Sequence, residues 1–294
     1  MTHHHFEHDG IVLASQIDGT KGGQPLLLLH GLSGASCTYD EVVSNLDPSL
    51  EIHRLDFRGH GDSARAPGTY DLPHMAADVV AYIDQVIGRP VLLAGHSLGG
   101  VVAHVVAQPH REHVVAVFEE DPPLYFCDHA LFEQTMFAMV FPMIAGQIRD
   151  VQANDVPVDA VCEGIRNAPT ARGGIAADDM NDTNIKSRAS ELMHCDPATI
   201  DTAIAGKMLV GYDPDEPVTV PLTVLRADPS LGAALPPEHA AKLALSQPHA
   251  MITEIANATH LIHSEIHTSD TYLSHLRAAI SNAFGMVNDD NTTA

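Results

Sequence analysis

Short apolar runs alternate along the chain with longer stretches whose apolar residues recur at helical spacing. Residues 25–29 and 91–94 are continuous apolar runs, which is typical of strands buried on both faces of a sheet. Residues 72–87 carry apolar side chains at helical spacing and stop before a Gly-Arg-Pro turn. The alternation predicts an α/β fold with a mostly parallel sheet and helices on both faces.

The other elements follow the same two patterns. We predict further strands at residues 11–16, 51–56, 114–119, 218–226 and 250–256. We predict further core helices at residues 39–46, 101–107, 238–245 and 268–284. The first ten residues and residues 288–294 are polar, so we expect mobile tails at both ends.

The alternation breaks after residue 123. From there to residue 216 we find no convincing strand, and helical patterns cover 130–149, 158–167, 184–193 and 199–209. We therefore predict a core made of residues 1–123 and 217–294, with residues 124–216 as a helical cap. The total of 294 residues suits one large domain with an insertion.

Charge and composition narrow the classes of function. The net charge of −23, from 15 Lys and Arg against 38 Asp and Glu, disfavours nucleic acid and anionic membranes as partners. No apolar run approaches the roughly 18 residues of a membrane-spanning helix, and the N-terminus lacks the apolar region of a signal peptide. The four cysteines form no CxxC pair, so we expect reduced thiols, a cytoplasmic location, and neither a metal nor a cofactor.

The motif that carries chemistry is Gly95-His96-Ser97-Leu98-Gly99, which follows the run at residues 91–94 and opens a helix. A Gly-x-Ser-x-Gly turn between a strand and a helix is the setting of a nucleophile elbow, because glycines allow a turn too tight for side chains. The backbone N–H of Leu98, at the helix start, can then face an oxyanion. The motif predicts Ser97 as a nucleophile.

Two further positions extend this prediction. His30-Gly31 follows the run at residues 25–29, and a loop there would present the backbone N–H of Leu32 as a second oxyanion donor. A serine also needs a neighbouring imidazole to take its proton. Among 20 histidines we favour His260, because it follows the late strand and precedes the final helix.

Four motifs in this order resemble the α/β-hydrolase superfamily over nearly the whole chain except the helical cap. They are His30-Gly31, Asp56-Phe57-Arg58-Gly59-His60-Gly61-Asp62-Ser63, Gly95-His96-Ser97-Leu98-Gly99-Gly100 and Thr259-His260-Leu261-Ile262-His263. The resemblance implies an eight-stranded, mostly parallel sheet and a helical cap over the site. It also implies a Ser–acid–His triad in which Ser97 and His260 fill two roles.

The acid of that triad has three candidates. Most members of the superfamily carry it after the strand that follows the cap, where this chain has Asp228, although Asp228 comes early and lacks the usual preceding glycine. Other members carry it after the preceding strand, which here ends in Glu119-Glu120-Asp121. We predict Asp121, with Asp228 and Glu120 as alternatives.

A serine nucleophile, rather than an aspartate, implies acyl chemistry and not dehalogenase or epoxide-hydrolase chemistry. The resemblance therefore implies a serine hydrolase that cleaves small hydrophobic carboxylic esters or lactones through an acyl-enzyme on Ser97. Phe126, Met136 and Met139, in an apolar part of the cap, are the predicted substrate contacts. Residues 119–126 also resemble bacterial zearalenone hydrolases, which favours a lactone.

Two other functions stay open at this point. A hydrolase of C–C bonds in vinylogous diketones would use the same residues on the same fold. A non-enzymatic ligand-binding protein could also use this scaffold, with the triad lost or buried. The sequence does not indicate an oligomeric state.

Overall fold

The computed structural model describes residues 1–285, apart from the side chain of Arg111, and is built around one eight-stranded sheet. The strands are β1 (Thr2–His8), β2 (Ile11–Gly19), β3 (Pro25–Leu29), β4 (Glu51–Leu55), β5 (Val91–His96), β6 (Val114–Glu120), β7 (Leu222–Arg226) and β8 (Met251–Glu254). Their order is β1-β2-β4-β3-β5-β6-β7-β8. Pairs that involve β2 are antiparallel and the others are parallel, which confirms the predicted eight-stranded, mostly parallel sheet.

Helices cover both faces of this sheet. They are α1 (Asp40–Ser44), α2 (Leu72–Tyr82), α3 (Leu98–Ala107), α4 (His129–Phe132), α5 (Met136–Ala153), α6 (Val158–Arg166), α7 (Ala176–Asp179), α8 (Asp182–His194), α9 (Pro197–Ile204), α10 (Pro237–Ser246) and α11 (Ser269–Phe284). Helices α2, α3 and α10 pack on one face and α1 and α11 on the other. The result is a three-layer core.

The central strand β3 shows why its sequence is apolar without alternation. Leu27 and Leu29 belong to the apolar cluster on one face, and Leu26 and Leu28 belong to the cluster on the other. All four side chains are fully buried. Because helices cover both faces of the sheet, a polar side chain on either face of β3 would lose its hydration without gaining a hydrogen-bond partner.

Between β6 and β7 the chain leaves the sheet and forms α4 to α9. Ile148, Ile185 and Leu192 lie at the centre of a separate apolar cluster formed by these helices. We call residues 124–216 the helical insert. Its helices lie beside the carboxyl ends of the strands, because insert residues share cavities with Ser97.

The N-terminus differs from the expected mobile tail. Thr2–His8 forms β1 and pairs with β2 over its whole length. Phe6 is buried with its ring 5.5 Å from that of Tyr82, and His8 Nδ1 lies 2.8 Å from Asp78 Oδ1. A single apolar residue among histidines is too weak a pattern to predict a strand. The other expected tail, residues 288–294, lies outside the described residues.

Two remaining sequence expectations concern the whole chain. Cys37, Cys127, Cys162 and Cys195 are all free thiols in the structure. Among residues 1–285, no helix combines the length and apolar character needed to cross a bilayer.

Candidate active site

Ser97 lies on a sharp turn between β5 and α3. Its backbone has φ 51° and ψ −116°, a conformation that a non-glycine residue adopts only at an energetic cost. A Cβ on Gly95 would lie 2.2 Å from the carbonyl oxygen of Gly99, and one on Gly99 would lie 2.0 Å from that of Leu29. The turn therefore requires glycine at both flanking positions. Ser97 N–H donates to the carbonyl oxygen of Glu120 at 2.8 Å, which ties the turn to the end of β6.

His260 lies in the loop between β8 and α11, and Asp121 holds its ring. Oδ2 of Asp121 lies 2.7 Å from Nδ1 of His260. Asp121 directly follows β6, is fully buried, and accepts backbone N–H bonds from Ala227, Ala234 and Leu235 at 3.1, 2.8 and 3.2 Å. These donors replace the hydration that the carboxylate loses on burial. Because Nδ1 donates to Asp121, Nε2 of His260 is the atom that can accept a proton.

The other two candidate acids have different partners. Asp228 accepts from the backbone N–H and hydroxyl of Ser230 and from Asn257 N–H, and the hydrogen bonds from Ser230 are the main reason that its pKa is lowered. Glu120 is buried and accepts from both Nδ1 and the backbone N–H of His263 at 2.8 and 2.9 Å. Of the three carboxylates, the structure brings Asp121 to His260.

Ser97 and His260 line one cavity, and Ser97 also lines a second. Counted together with the solvent at their mouths, the larger cavity has about 1380 Å³ of space between atoms and the smaller about 540 Å³. Phe126 lines the smaller cavity and Met136 the larger one. Met139 lines neither, because its side chain is 71% exposed on the outer face of α5. The structure therefore does not support the expectation that Met139 contacts substrate.

Leu32 and Leu98 both border the smaller cavity beside Ser97. Leu98 is the first residue of α3, where a backbone N–H has no acceptor within the helix. Two buried histidines hold the loop that carries Leu32. His30 donates from Nδ1 to Gly31 O at 2.8 Å and accepts Phe57 N–H at Nε2, and His60 Nε2 accepts Ser33 N–H at 3.3 Å.

Burial keeps these two rings neutral, as their hydrogen bonds require. It lowers the pKa of His30 to about 4 and that of His60 to about 3, because an imidazolium loses its hydration there. The loop is therefore anchored on both sides of Leu32. The sequence motifs contain both histidines but do not indicate this role.

His96 precedes Ser97 in the chain and contacts His260 in space. Its Nε2–H donates to the carbonyl oxygen of His260 at 2.9 Å, and the two rings lie 4.6 Å apart. Burial, and then the nearby His260 and His263, lower the pKa of His96 well below its usual value, so the ring stays neutral. Burial alone would lower the pKa of His263, but the charge and hydrogen bond of Glu120, together with the charges of Glu191 and Glu265, outweigh that effect and raise it.

An ion pair from the helical insert supports the loop that bears His260. Arg172 donates to both carboxylate oxygens of Glu265, at 3.0 and 2.6 Å. Glu265, which is 3% exposed, in turn accepts from the hydroxyl and the backbone N–H of Thr259 at 2.6 and 3.2 Å. Thr259 immediately precedes His260, so Arg172 is linked to His260 through Glu265 and Thr259. Nothing in the sequence pattern indicated this link.

Comparisons with known proteins show which family the chain belongs to. Residues 26–270 match the sequence model described as Alpha/beta hydrolase family. A serine hydrolase-like protein of Danio rerio is 33% identical over 107 residues, which are 36% of this chain and 33% of that protein. An sn-1-specific diacylglycerol lipase of Danio rerio is 34% identical over 113 residues, which are 36% of this chain and 35% of the lipase. The matches thus span about a third of the length of these relatives.

Solved structures show the same architecture. A hydrolase from Pseudomonas aeruginosa PA01 superposes with a TM-score of 0.68 at 18% identity, covering 97% of this chain and 98% of that one. The enol-lactonase from Burkholderia xenovorans LB400 gives a TM-score of 0.67 at 17% identity, covering 94% and 99%. Identities this low establish the fold alone. With the sequence match over residues 26–270, they show that the chain belongs to the α/β-hydrolase family.

Proposed function

We propose that this chain is a serine hydrolase that cleaves a hydrophobic carboxylic ester or lactone through an acyl-enzyme on Ser97. The observation that carries the proposal is the 2.7 Å contact between Asp121 Oδ2 and His260 Nδ1. The imidazole ring of His260 lines the same cavity as Ser97. The relative named as a diacylglycerol lipase supports ester chemistry, and the enol-lactonase is an example of lactone cleavage on the same fold. Four free thiols fit the cytoplasmic location that we propose.

The chemistry uses each residue in turn. Nε2 of His260 takes the proton of Ser97 Oγ as that oxygen attacks the carbonyl carbon. Asp121 fixes the tautomer of His260 and stabilises the imidazolium that forms. The backbone N–H groups of Leu32 and Leu98 stabilise the oxyanion. His260 then protonates the leaving oxygen, and water activated by the same ring releases the acid.

The helical insert acts in this proposal as a cap over the site. It supplies Phe126 to the smaller cavity and Met136 to the larger one, beside the triad. An apolar wall of this kind favours a hydrophobic substrate and excludes water from the reacting atoms. Small-molecule esters or lactones are therefore the proposed partners, and the net charge of −23 disfavours nucleic acid.

A fluorophosphonate probe tests the proposal, because it phosphonylates an activated serine hydroxyl far faster than an ordinary one. We expect covalent labelling of Ser97 in the wild type and none in Ser97→Ala, together with hydrolysis of 4-nitrophenyl esters. A zearalenone-type macrolactone and a vinylogous diketone complete the substrate panel. Cleavage of the diketone without ester hydrolysis would favour a C–C hydrolase. Absence of both labelling and turnover would favour a ligand-binding protein.

A further inference from the structure

The two cavities at Ser97 differ in chemistry. Apart from the Ser97 hydroxyl, the smaller cavity is lined by apolar side chains and one glycine, among them Pro123, Phe126, Phe132 and Met208. The larger cavity also has apolar walls, but Gln147, Arg188, Asp179 and Glu265 add polar and charged groups to it. A charged substrate group would lose its hydration in the smaller cavity without gaining a hydrogen-bond or ion-pair partner.

The catalytic groups are divided between the cavities. Leu98, whose N–H is a proposed oxyanion donor, lines the smaller cavity, whereas His260 lines the larger one. Ser97 and Leu32 line both. A tetrahedral intermediate on Ser97 Oγ therefore has the imidazole ring on one side and the apolar chamber on the other.

The direction of proton transfer orients a substrate in this arrangement. When the intermediate collapses, the bond between the carbonyl carbon and the leaving oxygen breaks, and its electron pair stays on that oxygen. The oxygen takes the proton that His260 Nε2 received from Ser97, so it must lie within hydrogen-bond reach of that ring. The alcohol part therefore extends into the larger cavity, and the acyl part, still bonded to Ser97, extends into the smaller one.

We propose that the substrate is an open-chain ester of a compact, uncharged, apolar carboxylic acid with a larger, polar alcohol. The inference rests on the proposed serine-hydrolase function and adds the substrate class. The smaller cavity accommodates the acyl group and the larger one the alcohol. A small lactone uses this division poorly, because its acyl and alcohol parts belong to one ring.

Two matched alanine-to-phenylalanine variants test this orientation. Ala203 lines the smaller cavity and Ala168 the larger one, and neither belongs to the proposed triad. Selectivity is measured as ratios of kcat/KM in two series: acetyl to hexanoyl esters of one alcohol, and methyl to bulky polar esters of one acid. We expect Ala203→Phe to lower the hexanoyl-to-acetyl ratio at least about tenfold and to leave the alcohol ratio within about twofold. We expect Ala168→Phe to do the reverse.

Charge and a cavity-enlarging variant provide independent checks. We expect a succinyl half-ester to be at least about tenfold poorer than the butyryl ester of the same alcohol, because no charged side chain lines the smaller cavity. Phe132→Leu enlarges that cavity and is expected to shift the optimum to longer acyl chains, which keeps the test valid if Ala203→Phe does not fold.

Specific outcomes overturn the inference. Reversed effects of the two variants would place the acyl group in the larger cavity. If each variant changed both the acyl and the alcohol ratio, the cavities would not be separate subsites. The same conclusion would follow if neither variant changed either ratio. Failure of the proposed function is distinguishable from these outcomes, because it appears as an absence of fluorophosphonate labelling at Ser97, or of any ester hydrolysis, in the wild type.

Discussion

Glu120 and Asp121 are consecutive residues whose carboxylates hold two different histidines. Asp121 Oδ2 lies 2.7 Å from Nδ1 of His260, whereas Glu120 Oε2 lies 2.8 Å from Nδ1 of His263. Both carboxylates are fully buried at the end of β6. One acid–histidine pair faces the cavity at Ser97, and the other is enclosed in the protein. Replacing each carboxylate in turn by its amide distinguishes a role in catalysis from a role in stability.

We expect Asp121→Asn to lower kcat by about 10⁴-fold, because an amide at this position favours the wrong tautomer of His260. The amide also disturbs the acceptor positions for Ala227, Ala234 and Leu235 N–H, which we expect to cost about 1–3 kcal/mol in the free energy of unfolding. Steady-state kinetics and urea unfolding measure the two effects. Asp228→Asn is the matched control, and an equal loss of kcat there would refute the assignment of Asp121.

In contrast to Asp121→Asn, Glu120→Gln is expected to affect stability more than kcat. The charge pair with His263 has no exposed surface, so its disruption is expected to cost about 3 kcal/mol or more in the free energy of unfolding. We expect kcat of the folded fraction to stay within about tenfold of the wild type, because Glu120 acts only through the loop that bears His260. A loss of kcat as large as that of Asp121→Asn, in a stable protein, would show that this pair takes part in catalysis.

Ser97→Ala removes the proposed nucleophile and is expected to leave the turn intact. Alanine keeps the Cβ that the backbone at φ 51° already accommodates, so we expect the free energy of unfolding to change by less than about 1 kcal/mol. We expect kcat for ester hydrolysis to fall by several orders of magnitude. A folded variant that keeps more than about one per cent of kcat would contradict the assignment.

Arg172→Ala tests the link from the insert to the base. Loss of the guanidinium leaves Glu265 buried without its cation and loosens its hold on Thr259, so we expect kcat to fall about tenfold or more with a smaller change in KM. Thr259→Val, which removes only the hydroxyl donor, is expected to act in the same direction. Added guanidinium ions are expected to restore part of kcat in Arg172→Ala. A change in the unfolding midpoint with unchanged kcat would limit this pair to stability.

The stability of the protein is expected to fall as the pH drops through about 6.5. His30 and His60 have pKa values near 4 and 3 in the folded protein against 6.5 in the unfolded chain, because burial disfavours their charged forms. The unfolded chain therefore binds more protons between pH 6.5 and 4, and each histidine costs about 3 kcal/mol of stability at the lower end. His263 acts in the opposite direction, since its pKa is raised and folding favours its protonation.

Urea unfolding at pH 7.5, 6.0 and 5.0 measures this dependence. We expect the free energy of unfolding to reach its highest value above pH 6.5 and to decline by several kcal/mol towards pH 5. His249→Ala, at an exposed histidine, is the control and is expected to show the wild-type slope. A flat profile from pH 7.5 to 5.0 would mean that the buried rings do not control acid stability.

The sheet was predictable because burial on both faces leaves a mark on the sequence. The apolar runs at residues 25–29 and 91–94 correspond to β3 and β5 at its centre. The predicted strand at 218–226 was too long, since β7 begins at Leu222. Val218 is buried, but its backbone N–H donates to the side chain of Gln247 and not to a strand. An apolar residue thus indicates burial without specifying a strand.

The site was predictable only where it is local in sequence. The turn at Ser97 is encoded by its own glycines, but the environment of Asp121 comes from backbone groups more than 100 residues away. Periodicity places Asp121 and Asp228 at one sheet edge and does not choose between them. In α5, Phe137 and Phe141 face the cavities while Met139 and Met143 are exposed. The apolar composition of that helix did not reveal which face packs inward.

Different parts of the chain position the site residues and line the cavities. Ser97 N–H donates to the carbonyl oxygen of Glu120, and Asp121 N–H donates to that of Leu225, so neighbouring strands hold Ser97 and Asp121 in place. Much of the cavity lining, by contrast, comes from the helical insert. Recombining the insert with that of a related enzyme is therefore expected to change substrate preference while these bonds keep Ser97 and Asp121 in place, provided that the new insert retains an arginine that pairs with Glu265.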